Sequence, residues 1–272
     1  MRALIAGAGI GGLTAALSLH AAGIEALVID SAAALRPLGV GINLMPHAVR
    51  ELTELGLGGE LAATGIPTAE MVHFDRHGNR IWGFACGLSV GYRWPQYSIH
   101  RGELQTILLA AVRARLRADA VRTATAFAGF TESSSGVVVR VRDRSSAALS
   151  ELAADVLVGA DGLYSGVRAQ LHPGAIVDGR VLAYLLARAA SPAQGLAEYE
   201  AARRETVNAI VLACRDMPAD RLLHTVSVRA PDGFGRIEDV LSAAELAAFD
   251  RAYRTTTLPD VAALNSRASL TP

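Results

Sequence analysis

Lysine is absent from this chain of 272 residues, so its 26 strongly basic residues are all arginine. The absence of lysine excludes Schiff-base chemistry and the phosphate-binding P-loop, which both depend on a lysine side chain. The formal net charge is +0, and the arginines are dispersed along the chain. Nucleic acid is therefore a poor candidate partner, because its phosphates must be neutralised by clustered positive charge.

Cysteine is scarce as well. Cys86 and Cys214 are the two cysteines of the chain, and neither belongs to a CxxC pattern. We expect them to be reduced, buried thiols in a cytoplasmic protein. Histidine, cysteine and acidic residues show no metal-ligand spacing, so no metal is expected, and His73 and His77 are interpreted as residues of a sheet surface.

Charged residues make up 19% of the chain and hydrophobic residues 51%, which is typical of a folded α/β protein. The uncharged stretch from Ala3 to Leu19 resembles a membrane span or a leader in composition. Several glycines interrupt it, however, and a spanning helix needs about 20 apolar residues. We therefore expect no membrane association.

A glycine-rich turn lies near the start of the chain, between two short apolar segments. Arg2 to Ala6 and Glu25 to Ile29 are predicted to be buried strands. Between them, Gly7-Ala8-Gly9-Ile10-Gly11-Gly12 fits the pattern GxGxxG, and Leu13 to Ala22 suits a helix.

This order of strand, turn, helix and strand predicts a dinucleotide-binding βαβ unit. Gly7 allows the tight turn, Gly9 lets the backbone approach a pyrophosphate, and Gly12 permits close packing of helix on strand. The pyrophosphate is expected at the helix N-terminus, beside Ala8, where free N–H groups favour an anion. Asp30, 18 residues after Gly12, is placed to accept hydrogen bonds from ribose hydroxyls. The pattern alone does not separate FAD from NAD, and a purely structural turn is the competing interpretation.

Further motifs lie downstream. They read RPLGVGIN from Arg36, PQYSIHRGELQ from Pro95, ADVLVGADG from Ala154 and AIVDG from Ala175. The second motif opens an amphipathic helix, and the third is a buried strand that ends in an acid and a glycine.

With these motifs the chain resembles the class A flavoprotein monooxygenases, the family of para-hydroxybenzoate hydroxylase, and within it the hydroxylases of phenazine biosynthesis. The likeness covers nearly all of residues 1–173 and then roughly 175–215. It implies an α/β fold, in which a Rossmann-like FAD-binding domain with a glutathione-reductase-type βαβ unit carries small β-hairpins and C-terminal helices. It also implies FAD as cofactor, NADH or NADPH as co-substrate, and hydroxylation of a small aromatic substrate with O₂.

The resemblance implies roles for particular residues. Asp30 would hold the adenosine ribose, and Arg36 lies on the segment that lines the flavin. Gly41 belongs to a short run, residues 39–42, whose backbone would approach the isoalloxazine ring. Arg101 would approach the pyrophosphate, and Asp161 with Gly162 forms the Asp-Gly motif that touches FAD.

Structural interpretations compete with these roles. Arg101 fits an ordinary charge in the first turn of its helix, and Asp161 fits a turn residue or helix cap. Ser165 and Arg168 match trailing positions of the Asp-Gly motif, but an Asp161–Arg168 ion pair would serve structure alone. No catalytic acid or base is assigned, because the cofactor carries the chemistry in this family.

The chain departs from the family after Pro173. Relatives continue there with a sheet that covers the substrate, and then with a Gly-Asp motif that contacts the flavin. Here the AIVDG motif follows almost at once, and no Gly-Asp dipeptide occurs in the 272 residues. We therefore expect the substrate-domain sheet to be largely missing, FAD binding to be weakened and hydroxylation to be impaired. The alternative function is a non-catalytic dinucleotide-binding remnant or a weak FAD-binding module.

We expect an FAD-binding domain over residues 1–173, a helical segment over 174–254 and a loose tail over 255–272. The helical segment is predicted to contain a helix from Val177 to Ala189 and a longer helix after Ser191-Pro192, with Leu196 on its buried face. Ser242 and Glu245 form a capping box. Surfaces left uncovered by the missing sheet are expected to promote homodimerisation or aggregation.

One hairpin pattern and one set of aromatic residues are also present in the sequence. Alternating residues from Val72 to Ile81 predict a β-hairpin. Trp82, Trp94 and Tyr97 either line an aromatic substrate pocket or pack in the core, and we favour core packing.

Overall fold

The computed structural model describes residues 1–133, 136–162, 165–167, 176–215, 218–257 and 260–270, and it describes backbone alone within 176–180, 206–215, 218 and 255–257. The strands, in chain order, are β1 Arg2–Ala6, β2 Glu25–Ile29, β3 Gly41–Leu44, β4 Ile66–Thr68, β5 Glu70–Phe74, β6 Arg80–Ala85, β7 Gln96–His100, β8 Val121–Arg122, β9 Thr125–Ser133, β10 Gly136–Asp143, β11 Leu149–Ala154 and β12 Val156–Gly159. The helices are α1 Ile10–Ala21, α2 Pro46–Glu54, α3 Gly58–Thr64, α4 Arg101–Arg115, α5 Ile176–Arg188, α6 Pro192–Arg215, α7 Pro218–Arg229, α8 Ala243–Thr257 and α9 Val261–Ser266.

A parallel sheet forms the centre of the fold, with strand order β12-β1-β2-β8. Successive side chains of β1 point to opposite faces of this sheet. Ala3 and Ile5 pack with the helices on one face, whereas Leu4 and Ala6 pack against a second sheet on the other. Both faces are therefore covered, which explains why β1 and β2 are apolar at nearly every position.

Helices α1, α4 and α5 cover one face of the parallel sheet. In α4 the predicted apolar face is observed: Leu104, Leu108 and Val112 are each 0% exposed. In α5, Leu182 and Leu186 are buried and belong to the same core as α1. The helix predicted from Val177 to Ala189 is thus confirmed as α5, and it docks on the helix that follows the glycine turn.

The opposite face carries a three-stranded antiparallel sheet of order β11-β10-β9. Its contribution to the core is the inward side of β10, where Val137, Val139 and Val141 are buried against β1 and β2. The result is three layers, with helices, parallel sheet and antiparallel sheet in that order.

Two smaller antiparallel groups complete the strand architecture. One has order β3-β7-β4, and the other is the predicted hairpin of β5 and β6. The hairpin packs against α7 and α8, where Trp82 and Phe84 meet Phe249 and Tyr253 in an aromatic cluster. The apolar face of this hairpin is therefore covered by the C-terminal part of the chain.

Helix α9 is fastened to α2 by charges in the interior. The Arg50 and Glu51 side chains are 2% and 0% exposed, and Arg267 forms an ion pair with Glu51. Arg50 donates to the backbone oxygens of Arg267 and Ala268 at 2.7 and 2.8 Å, and pairs with Glu54 at 3.0 Å. We call these side chains the α2–α9 charge cluster.

The α2–α9 charge cluster overturns the prediction of a loose tail over 255–272 for the residues described there. Helix α9 begins with Asp260, whose carboxylate accepts from the Ala263 N–H at 2.7 Å, and Leu264 is buried. The prediction was wrong because α9 is too short to show helical periodicity, and its anchors are polar.

Other predictions for the C-terminal segment had mixed outcomes. Ser242 and Glu245 form the expected capping box, with 2.8 Å between the Ser242 N–H and a carboxylate oxygen of Glu245. The longer helix begins at Pro192 as predicted, but Leu196 is 39% exposed, so its assignment to a buried face was wrong. Cys86 is buried and free, whereas the side chain of Cys214 lies outside the described residues.

Candidate cofactor-binding site

The turn between β1 and α1 has a shape that only glycine permits at two positions. Gly7 has φ +107°, and a β-carbon there would lie 2.2 Å from the Ala160 carbonyl oxygen. A β-carbon at Gly12 would lie 1.9 Å from the carbonyl oxygen of Gly7. The predicted roles of these glycines, a tight turn and close packing of helix on strand, are both observed.

The outer side of the same turn is open. A β-carbon built at Gly9 or Gly11 meets nothing within 4 Å. Gly9 is the N-cap of α1 and no side chain caps the helix there, so the first N–H groups of the helix have no partner within the helix. An open helix N-terminus of this kind favours an anionic group.

Asp30 stands at the carboxyl end of β2, beside the turn. Its carboxylate accepts from the Ala8 N–H at 2.8 Å and from the Ala32 N–H at 2.8 Å. A carboxylate has about four acceptor positions, so two remain for hydroxyl donors of a ligand. Asp30 thus both shapes the turn and retains the acceptor capacity that a ribose requires.

The segment from Arg36 to Gly41 docks on the start of α4. The Arg101 N–H donates to the Val40 carbonyl at 3.0 Å, and Gly41 pairs with His100 across β3 and β7. The side chains of Arg36 and Arg101 are both exposed. The structure therefore places the backbone of Gly41 beside the first residue of α4, Arg101.

The Asp-Gly motif follows β12, which is the neighbour of β1 on the side away from β2. The Asp161 carboxylate accepts from the hydroxyl of Ser165, and from the Gly166 and Val167 N–H groups at 2.8 and 3.2 Å. These bonds are those of a turn cap, which was the structural interpretation of Asp161. Gly162 has φ +82° and is exposed, and Arg168 lies outside the described residues.

Two residues of this region were not identified from the sequence. A β-carbon at Gly102 would lie 2.4 Å from the carbonyl carbon of Pro37, so this glycine permits the contact between α4 and the segment from Arg36 to Gly41. Gln105, one turn further along α4, donates from Nε2 to the Ala8 carbonyl at 2.8 Å. Both belong to the motif PQYSIHRGELQ, which is the signal that would have found them.

Other candidates for binding roles lie elsewhere. Trp82 is part of the aromatic cluster with α8, Tyr97 is 7% exposed, and Trp94 packs on the core with the Arg50 guanidinium 5.4 Å from its ring centre. Burial lowers the pKa of His73, whose ring is 5.5 Å from that of Trp82.

Metal-binding clusters and membrane-spanning helices are both absent from the described part of the chain. It contains no group of three or more histidine, cysteine or acidic residues that would hold a metal ion. Within the same residues, no helix is long and apolar enough to cross a lipid bilayer.

The functional residues converge on one edge of the parallel sheet. The glycine turn follows β1, Asp30 follows β2 and the Asp-Gly motif follows β12, so all lie at carboxyl ends of strands. Because β2 and β12 flank β1 on opposite sides, this edge is the switch point at which α/β sheets bind ligands. The arrangement defines a dinucleotide-binding protein.

Comparison with known proteins specifies the dinucleotide. Residues 1–181 match the family described as FAD binding domain. The chain belongs to this family, and FAD is the cofactor that the family and the open glycine turn together define.

The relatives are flavin-dependent monooxygenases. The phenazine 1,6-dicarboxylic acid hydroxylase PhzS of Lysobacter antibioticus is 53% identical over 172 residues, which cover 62% of this chain and 42% of the relative. The structure resembles HpxO of Klebsiella pneumoniae in complex with FAD and uric acid, with 29% identity, a TM-score of 0.52 and coverage of 62% of this chain and 41% of HpxO. It also resembles the flavin-dependent monooxygenase PieE in complex with FAD and substrate, with 26% identity, a TM-score of 0.55 and coverage of 63% and 32%. The chain thus spans less than half the length of these proteins.

Proposed function

We propose that this chain binds FAD at the glycine turn and serves the NAD(P)H- and O₂-dependent hydroxylation of a small aromatic compound. The observation that carries the proposal is the convergence of the open turn, Asp30 and the Asp-Gly motif on one edge of the parallel sheet. The names of the relatives support the substrate class, since PhzS is a phenazine hydroxylase and HpxO was determined with uric acid.

Each element has a distinct binding task in this proposal. The N-terminus of α1 neutralises the pyrophosphate, and Asp30 accepts from the ribose hydroxyls. The exposed guanidinium of Arg101 adds positive charge near the pyrophosphate, and the backbone around Gly41 lies against the flavin ring. The exposed backbone of Gly162, beyond the cap formed by Asp161, contributes a further contact surface for FAD.

FAD, when bound, carries electrons from NAD(P)H to O₂, one atom of which enters the aromatic ring while the other leaves as water. The residues of this chain contribute binding and orientation to that chemistry.

A second candidate function is FAD binding without hydroxylation. One observation favours it: the chain contains no Gly-Asp dipeptide, the second flavin contact that the resemblance implies. A flavin without a covering sheet is open to water, and oxygen transfer requires a site from which water is excluded.

The experiment that tests FAD binding is a visible absorption spectrum of the purified chain after incubation with excess FAD and desalting. Retained flavin bands support the proposal, and a colourless protein with an intact fold contradicts it. Asp30→Ala serves as the matched control, since it removes the ribose acceptor.

A second assay separates the two candidate functions. Oxidation of NADH and of NADPH is followed with and without aromatic compounds, and hydroxylated product is measured by mass spectrometry. Product formation supports the monooxygenase, whereas retained flavin without product supports the binding module.

The remaining proposals concern organisation and location. We propose that residues 1–173 form the FAD-binding domain, that residues 174–254 complete its helical cover, and that the protein works in the cytoplasm. Self-association through exposed apolar surface is also proposed. Exposed Leu38, Val40 and Ile66 support it, and a monomer by gel filtration at micromolar concentration would count against it.

A further inference from the structure

Both polar backbone groups of Ala8 are held by side chains from other elements of the fold. The Ala8 N–H donates to Asp30 Oδ2 at 2.8 Å, and the Ala8 carbonyl accepts from Gln105 Nε2 at 2.8 Å. Asp30 follows β2 and Gln105 belongs to α4, so the two contacts reach the turn from different elements. The centre of the glycine turn is therefore clamped from two directions.

The clamp on the carbonyl determines the direction of the next N–H. The peptide bond is planar and trans, so the Ala8 carbonyl and the Gly9 N–H point in opposite directions. Fixing the oxygen with Gln105 therefore directs the Gly9 N–H. Gly9 is the N-cap of α1, and a β-carbon there meets nothing within 4 Å, which leaves this side of the turn accessible.

The turn needs such a clamp because of its composition. Gly7 and Gly9 flank Ala8, and glycine loses more backbone freedom on ordering than any other residue. Without a partner for the Ala8 carbonyl, rotation of the Ala8–Gly9 peptide would turn the N–H away from a bound anion. A donor on the rigid helix α4 opposes that rotation.

We propose that Gln105 is a positioning residue for the pyrophosphate site: its amide holds the Ala8 carbonyl and so aims the Gly9 N–H at the anion. The inference rests on the proposed FAD-binding function. Gln105 acts through the Ala8–Gly9 peptide, and its effect is therefore confined to ligands that carry phosphate.

The test uses the full chain with Gln105→Met, which keeps the length and helix propensity of the side chain and removes the donor. Thr106→Val is the matched control, since it removes the neighbouring hydrogen bond to the Gly102 carbonyl within α4. Dissociation constants are measured for FAD, for ADP, which contains the pyrophosphate, and for adenosine, which lacks it.

Gln105→Met is expected to weaken the binding of FAD and ADP by about three- to ten-fold, as loss of one neutral hydrogen bond predicts. The dissociation constant of adenosine is expected to change by less than about two-fold. Thr106→Val is expected to leave all three constants unchanged. An equal loss for adenosine and ADP would reduce Gln105 to a structural role, and unchanged constants would remove its role altogether. Either result overturns the proposal.

Amide hydrogen exchange in the ligand-free protein separates this inference from the proposed function. If wild-type protein binds neither FAD nor ADP, the proposed function fails, and exchange at Ala8, whose N–H donates to Asp30, decides the positioning role. We expect exchange there to be about ten-fold faster in Gln105→Met, since the opening free energy falls by the value of the lost bond. Exchange equal to that of wild type and Thr106→Val would overturn the inference.

Discussion

Replacing Arg267 by alanine tests whether the α2–α9 charge cluster stabilises the fold. The guanidinium of Arg267 pairs with Glu51, whose side chain is 0% exposed. Arg50 lies 3.9 Å from the same carboxylate oxygen of Glu51 and 3.0 Å from Glu54. The two arginines and two glutamates balance in charge, so removing one arginine leaves an uncompensated negative charge in the interior.

The expected loss follows from the burial of each partner. Breaking a buried ion pair by removing one partner costs about 3–5 kcal/mol. Arg267 is 37% exposed, and Arg50 still compensates part of the Glu51 charge, so water and a neighbour reduce the penalty. We expect Arg267→Ala to lower the free energy of unfolding by about 2–3 kcal/mol at neutral pH.

The assay is urea unfolding followed by circular dichroism and by tryptophan fluorescence. Trp94 is a local reporter, since the Arg50 guanidinium lies 5.4 Å from its ring centre. A double-mutant cycle with Glu51→Gln isolates the pair. Arg236→Ala, which removes a pair between two exposed side chains at 3.5 Å, is the control and should not change the midpoint.

Two results would refute this reasoning. A change below about 0.5 kcal/mol for Arg267→Ala would place the pair among weak surface ion pairs. Additive effects of Arg267→Ala and Glu51→Gln would show that the two side chains do not interact in solution.

Three further perturbations have defined outcomes. Gly12→Ala places a β-carbon 1.9 Å from the Gly7 oxygen and should lower the free energy of unfolding by about 1–3 kcal/mol or more. The loss would be seen as a lower thermal midpoint and as loss of flavin after desalting, and flavin retention equal to that of wild type would contradict the packing. Asp30→Ala removes the acceptor of the Ala8 N–H and should weaken FAD binding by at least about ten-fold in a fluorescence titration. An unchanged affinity would refute the role of Asp30 in binding. The pKa of Glu245 is lowered from 4.5 to about 2, first by its hydrogen bond from Arg229, so its stabilising effect is present above pH 4.5 and lost as pH falls through about 2. The midpoint difference between wild type and Glu245→Gln should therefore be largest at neutral pH and vanish towards pH 2, and a difference independent of pH would be inconsistent with the charge interaction between Glu245 and Arg229.

The βαβ unit could be predicted from the sequence because each part has a local cause. Strands β1 and β2 were predicted to the residue, since both are apolar runs next to a glycine turn or an acid. The start of α1 was less accurate: the helix was predicted from Leu13 and begins at Ile10. Gly11 and Gly12 are poor helix formers, yet the helix begins directly after Gly9, which is its N-cap.

Long-range contacts account for what the sequence did not predict. Arg50 and Arg267 are separated by 217 positions, and neither lies in a pattern that suggests a partner. Gln105 and Ala8 are 97 positions apart, and a glutamine on a helix gives no local sign of a backbone acceptor elsewhere. Propensity and periodicity describe neighbours in sequence, so contacts of this kind become visible only with the fold.

Contacts between segments that are far apart in the sequence also determine the order in which the chain can fold during synthesis. The hairpin of β5 and β6 is covered by Phe249 and Tyr253, and α2 is covered by the segment around Arg267. The unit of β1, α1 and β2 can form as soon as β2 has left the ribosome, but these two surfaces stay bare until residues 249–267 have emerged. The nascent protein therefore passes through a long interval with apolar surface exposed, when chaperone binding and aggregation compete with completion of the fold.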